Sequence, residues 1–214
     1  MQQSLKITEI FYSLQGETNT VGLPTVFVRL TGCPLRCGYC DTAYAFSGGK
    51  RLTIDDILKQ VDSYHARYVT VTGGEPLAQP ACLLLLNALC NKNYQVSLET
   101  SGALDISKVD DRVIKVMDLK TPSSGELEKN RMENLVFLTQ KDQVKFVIGD
   151  KADYDWSKMI CEQYQLAEKT QILFSPIHHA ISPTDLADWI IRDNLPVRFQ
   201  IQLHKYLWQD QPGK

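Results

Sequence analysis

The sequence predicts an α/β fold, an open and incomplete (β/α) barrel rather than a closed eight-fold one. Three observations lead there. Short β-branched runs recur with helix-length stretches between them, the pattern of a parallel sheet assembled from βα units. The 214 residues suffice for one such unit, and no linker, repeat or low-complexity tract divides them, so a single domain over 1–214 is expected. The count of elements fits an incomplete barrel better than a full one, with a doubly wound sheet as the alternative. Both architectures gather functional groups beyond the carboxyl ends of their strands.

The strand candidates, in order, are residues 7–11, 25–30, 68–72, 95–100, 113–119, 143–148, 171–175 and 198–203. Thr53 reads as an N-cap with Asp56 at the third helical position, and Ile54, Ile57, Leu58 and Val61 then form one apolar face. Ser182, Pro183 and Asp185 supply a cap, a first-turn proline and a favourable negative charge ahead of Leu186, Trp189 and Ile190. Two more helices fit 81–90 and 154–164, and the polar stretch 121–130 reads as a surface loop.

A hydrophobic content of 43% and a net charge of −2 provide no broad electrostatic footprint for nucleic acid or a membrane surface, so neither is an expected partner. Met1 to Thr8 carries no charged segment ahead of an apolar one, and no apolar run approaches the ~20 residues of a membrane span. A cytoplasmic protein is expected. Of six cysteines, Cys82, Cys90 and Cys161 are scattered through helix-like segments and read as small core hydrophobes, while the other three crowd into one loop.

That loop follows the strand 25–30 and places Cys33, Cys37 and Cys40 at CxxxCxxC spacing. Iron-sulfur clusters are normally held by four thiolates, so three ligands on a four-iron cube leave one iron open to an exogenous chelator. A sulfonium bound there through its amino and carboxylate groups can accept an electron and break a carbon-sulfur bond. The competing reading is structural zinc, which needs a fourth ligand from His65, His178, His179 or His204, since no second cysteine pair exists.

The cysteine spacing, with Tyr39 just before the last cysteine, resembles the radical S-adenosylmethionine superfamily, as does Gly73-Gly74-Glu75-Pro76 after the strand 68–72. Within it the chain resembles the 7-carboxy-7-deazaguanine synthase family nearly end to end. The likeness runs through 9–17, 27–32, 40–42, 99–102 and 118–122, then Ser175-Pro176 and 202–206.

The resemblance implies a partial TIM-like barrel, a 4Fe-4S cluster on Cys33, Cys37 and Cys40, and S-adenosylmethionine beside Tyr39, Cys40, Gly73, Gly74, Glu75, Ser101, Asp118, Lys120, Ser175 and Pro176. It implies a substrate, 6-carboxy-5,6,7,8-tetrahydropterin, held by Leu14, Gln15, Gly16, Glu17, Arg29 and Thr72, and Mg²⁺ at Thr42. No side chain is assigned as catalytic, because the radical derives from the cofactor. The implied reaction is a carbon-nitrogen lyase step, a ring contraction with loss of ammonia in queuosine and other deazapurine synthesis. A flavodoxin-like electron donor and a homodimer are implied as well. Thr18 stands where many members of the family carry glycine, so a different turn is expected there, and Pro212 receives no role. The alternatives are a glycyl-radical activating enzyme, which shares the cysteine spacing but acts on a protein, and a non-enzymatic metal-binding module.

Overall fold

The structure, a computed structural model, describes residues 3–209, 211 and 213. Nine strands form one sheet: β1 Ser4–Leu14, β2 Pro24–Leu30, β3 Lys50–Thr53, β4 Tyr68–Gly73, β5 Gln95–Thr100, β6 Ile114–Leu119, β7 Gln143–Ile148, β8 Gln171–Pro176 and β9 Arg198–Phe199. Their order is β3-β1-β2-β4-β5-β6-β7-β8-β9. From β2 to β9 every neighbouring pair is parallel. The terminal strands β3 and β9 do not pair with each other, so the barrel stays open as expected.

The helices are α1 Ile54–Asp62, α2 Cys82–Asn91, α3 Lys151–Gln163, α4 Leu166–Lys169, α5 Pro183–Arg192 and α6 Leu203–Trp208. Thr53 caps α1 by accepting from the Asp56 amide, as the sequence indicates. Asp150 does the same for α3 through the Asp153 amide, so that helix starts three residues before the expected Tyr154. Among the described residues no helix is long and apolar enough to cross a membrane.

Strand periodicity divides the sheet into two chemical faces. Val26, Val28, Leu30, Val69, Val71, Val96, Leu98, Met117, Leu119, Val144, Phe146 and Ile148 join the main apolar core, together with Ile57 and Val61 of α1, Leu85, Leu86 and Leu89 of α2, and Tyr154 of α3. The alternate positions Phe27, Arg29, Thr72, Glu99, Val116, Asp118, Lys145 and Val147 line a cavity instead. One face thus anchors the sheet to its helices while the other supplies functional side chains.

One strand is added to those expected, and two expectations are corrected. Residues 50–53 form an edge strand paired with β1, too short and too charged to signal itself. The last strand holds only Arg198 and Phe199; Gln200 leaves it and residues 203–208 become α6. The stretch 121–130 is less a plain surface loop than two short 3₁₀ turns with Thr121 and Ser124 buried. Of the scattered cysteines, Cys82 and Cys90 are buried and Cys161 packs half-buried against the core. Pro212 lies outside the described residues.

Candidate active site

The cavity encloses about 460 Å³ on the inner face of the sheet, and all three loop cysteines line it. The cysteine loop is pinned by backbone bonds: Gly32 N–H donates to the Ala45 carbonyl (2.8 Å), Gly38 N–H to Ser124 (3.0 Å), and Glu75 N–H to Gly32 (2.8 Å). Gly74 presses so closely on this loop that a Cβ there would stand 2.2 Å from the Gly32 oxygen and 2.9 Å from Cys33 Cβ. The two glycine-bearing turns therefore approach as one cradle.

Burial pushes the Cys33 and Cys37 thiols up, while the Lys120 ammonium pulls both back. Among the described residues no three of His, Cys, Asp and Glu could hold a metal ion together. A four-iron cube needs no convergence on a single ion, because each thiolate meets a different iron. The half-buried thiols, the cradle and the cationic Lys120 beside them fit an anionic thiolate-ligated cluster.

Of the residues expected around S-adenosylmethionine, Tyr39, Cys40, Gly73, Gly74, Ser101, Asp118 and Lys120 line the cavity. Glu75, Ser175 and Pro176 do not. Glu75 is fully buried and its carboxylate is consumed inside the protein. It accepts from Ser101 N–H (2.7 Å) and Oγ (2.6 Å), from Thr100 Oγ1 (2.9 Å) and from Leu77 N–H (3.0 Å). These four backbone and hydroxyl donors satisfy the buried anion within the protein, so that it braces the Ser101 turn. Ser175 and Pro176 are buried at the end of β8, with Ser175 Oγ lacking a partner among the described residues, and the next residues, Ile177 and His178, reach the cavity.

The residues expected around the substrate all line the same cavity: Leu14, Gln15, Gly16, Glu17, Arg29 and Thr72. Arg29 and Thr72 are register partners on β2 and β4. Arg29 Nε donates to Glu9 Oε1 (2.7 Å), which Tyr44 OH also grips (2.7 Å). Thr72 Oγ1 donates to Glu99 Oε2 (2.8 Å), and Gln15 Nε2 donates to Thr70 Oγ1 (3.1 Å) and Glu99 Oε1 (3.3 Å). Burial pushes the Glu99 carboxyl up, with nearby Glu17 adding to it and Lys145 and Thr72 opposing.

Residues 15–17 follow the carboxyl end of β1 but not the carboxyl ends of the parallel strands. Because β1 runs antiparallel to β2, its last residue Leu14 pairs with Pro24 at the start of β2. The following loop reaches across to the far edge of the sheet: Gly16 O accepts from Leu203 N–H (3.0 Å), Thr18 N–H donates to Gln200 Oε1 (2.9 Å) and Asn19 N–H to Gln143 Oε1 (3.0 Å). It fills the side of the barrel that lacks strands. Thr18 adopts φ of 69°, the left-handed region that favours glycine, so a β-branched residue bears the strain of this turn.

The same loop meets α6. A Cβ on Gly16 would lie 2.4 Å from His204 Nδ1, so any larger residue would force that ring to shift. Gln202 Nε2 donates to Asp41 Oδ2 (3.0 Å) and Lys205 lies 3.5 Å from the same oxygen. Burial opposes ionisation of Asp41, yet Thr42, Lys205 and Gln202 prevail and hold its carboxyl down at about 2. Thr42 donates to Asp41 Oδ1 (2.8 Å). Glu9, Tyr44, Glu99, Lys145 and His204 also belong to the site; Glu9, Glu99 and His204 lie within the segments that carry the resemblance, whereas Tyr44 and Lys145 have only proximity to a motif or strand alternation to signal them.

Known proteins agree with this geometry. The Radical SAM superfamily profile matches residues 27–120. The 7-carboxy-7-deazaguanine synthase of Chlorobaculum tepidum is 45% identical over 207 residues, covering 95% of this chain and 94% of that protein. The enzyme of the same name from Koribacter versatilis is 41% identical, covering 95% and 97%. The crystal structure of QueE from Escherichia coli superposes with a TM-score of 0.77 over 94% of this chain and 95% of that one, at 23% identity, which speaks for the fold. Three half-buried cysteines on an open barrel, facing a polar ring and matched along almost the whole chain, place this protein in the 7-carboxy-7-deazaguanine synthase family of radical S-adenosylmethionine enzymes.

Proposed function

We propose that this enzyme converts 6-carboxy-5,6,7,8-tetrahydropterin into 7-carboxy-7-deazaguanine with loss of ammonia, as the names of its relatives suggest. The observation that supports it most directly is the polar ring of Arg29, Thr72 and Glu99 with Gln15 and Glu17, which shares one cavity with the cysteine loop. A bound 4Fe-4S cluster with S-adenosylmethionine supplies the 5′-deoxyadenosyl radical. The chain's own residues bind, orient and shield.

Arg29 is pre-oriented by Glu9 through Nε, and its Nη edge suits a bidentate grip on the pterin carboxylate. Thr72, Gln15 and Glu17 hold the ring, with Leu14 and Gly16 completing the wall. Gly73, Gly74, Ser101, Asp118 and Lys120, with the backbone at Tyr39 and Cys40, hold S-adenosylmethionine. Thr42 is the Mg²⁺ contact: its proton goes to Asp41, leaving oxygen lone pairs for the ion. With no cluster of three acidic or histidine ligands among the described residues, the ion relies on that hydroxyl, substrate oxygens and water, a coordination Mg²⁺ favours. The family resemblance further supports a flavodoxin-like donor, a cytoplasmic setting and a homodimer.

The test is anaerobic reconstitution with iron and sulfide, followed by incubation with the carboxypterin, S-adenosylmethionine, Mg²⁺ and a low-potential reductant. Product with the mass of 7-carboxy-7-deazaguanine, matched by ammonia, is expected. A reconstituted enzyme that cleaves S-adenosylmethionine yet yields no deazaguanine would refute the substrate.

A further inference from the structure

Two carboxylates in the cavity wall are half-used in the same manner. Glu17 Oε2 accepts from Lys145 Nζ at 2.7 Å, while Glu17 Oε1 is buried and finds no partner among the described residues. Asp118 Oδ2 lies 3.1 Å from Lys120 Nζ, and Asp118 Oδ1 is likewise buried without a partner. A buried acceptor left unmatched costs about 1–3 kcal/mol, so such an oxygen persists where a ligand completes it.

Lys145 sits mid-strand on β7, directly across the ladder from Asp118. Since Lys120 already pairs with Asp118, Lys145 is committed to Glu17. The pair is well enclosed, with side chains 12% and 13% exposed. Glu17 is fixed at its other end too: its amide donates to Gln15 Oε1 (3.2 Å), and Gln15 is itself held by Thr70 and Glu99. The carboxylate is thus held in place with its second oxygen unmatched.

We propose that Lys145 is a positioning residue for the substrate: by holding Glu17 through one oxygen, it presents the other to accept an N–H from the 2-amino group of the pterin. This rests on the pterin reading above and on Glu17 as its contact. A lysine suits the task where an arginine does not. The ammonium is a point donor that occupies one oxygen, whereas a guanidinium fork takes both oxygens of a carboxylate and leaves no acceptor.

The experiment compares wild type, Lys145→Arg and Lys145→Met as reconstituted enzymes, each measured with the carboxypterin and with an analogue carrying hydrogen in place of the 2-amino group. Binding constants, KM, kcat, iron content and melting temperature are recorded. Wild type is expected to lose about 10- to 100-fold in affinity on losing the amino group, the usual worth of a hydrogen bond to a charged group. Lys145→Arg is expected to lose a similar factor in KM and affinity for the carboxypterin with a smaller change in kcat, and to show no further loss with the analogue. Lys145→Met carries an unpaired buried carboxylate and can lose stability, so Lys145→Arg, which keeps the charge, decides the matter. An arginine variant within about threefold of wild-type KM, or one that weakens both ligands by the same factor, overturns the proposal. Failure of wild type to turn over the carboxypterin at all overturns instead the substrate reading beneath it.

Discussion

The two halves of the cavity are built on different principles. The half proposed for the cofactor is made largely of backbone: two turns after β2 and β4 pressed together at Gly74 and Gly32, with Glu75 tying in the turn after β5. The half proposed for the substrate is made of side chains drawn from β1, β2, β4, β5 and β7 and from the loop that crosses the open side of the barrel. A chelated cluster needs a fixed loop shape, which contiguous residues encode. Recognition of a flat heterocycle needs polar atoms at several points around it, which no contiguous segment can supply.

Breaking the cofactor half has the largest effect. Cys37→Ala is expected to remove the cluster, seen as lost acid-labile sulfide, and with it all 5′-deoxyadenosine formation; retained turnover would contradict the three-thiolate site. Arg29→Ala acts on the other half, lowering kcat/KM for the carboxypterin by about 100-fold, near the worth of a charge-assisted pair. Cleavage of S-adenosylmethionine without product persists in that variant, so the ratio of 5′-deoxyadenosine to deazaguanine reports which half was hit.

A smaller effect sharpens the border between the halves. Burial holds the His204 imidazole below its ordinary value, against the pull of Glu17 and Asp41. The unfolded chain therefore takes up a proton below pH ~6.5 that the folded chain refuses, and stability falls as the pH drops through that window. Melting temperatures from pH 7.5 to 5.5 should decline less steeply in His204→Gln than in wild type; parallel slopes would place the titration elsewhere. The smallest change is Thr18→Gly, which relieves a β-branched residue of its left-handed backbone. It is expected to shift stability by about 1 kcal/mol or less, since glycine's greater unfolded-state freedom offsets part of the relief, read as a shift in melting temperature.

The same contrast explains what was legible beforehand. The cysteine loop, the glycine pair and the parallel strands announce themselves through spacing and β-branched runs, and their placement agrees with the structure. The direction of β1 did not, because a strand reads alike whichever way its neighbours run, and with it went the manner in which residues 15–17 enter the cavity. Lys145 was hidden for a related reason: its partner Glu17 lies 128 residues away, and a lysine at an alternate strand position looks solvent-facing until the inner face proves to be a cavity. Glu75 shows the opposite case, a motif residue that the resemblance places beside the cofactor and whose carboxylate turns into the protein.

The loop of residues 15–23 stands where a closed barrel would have strands, held at its edge by Gln143, Gln200 and Leu203. Ladder geometry tolerates no insertion without disturbing both neighbours, whereas a crossing loop absorbs changes of length and sequence locally. Variation can accumulate in that one segment while the radical-generating machinery keeps its shape, which makes it the natural graft point for redirecting the enzyme toward other heterocycles.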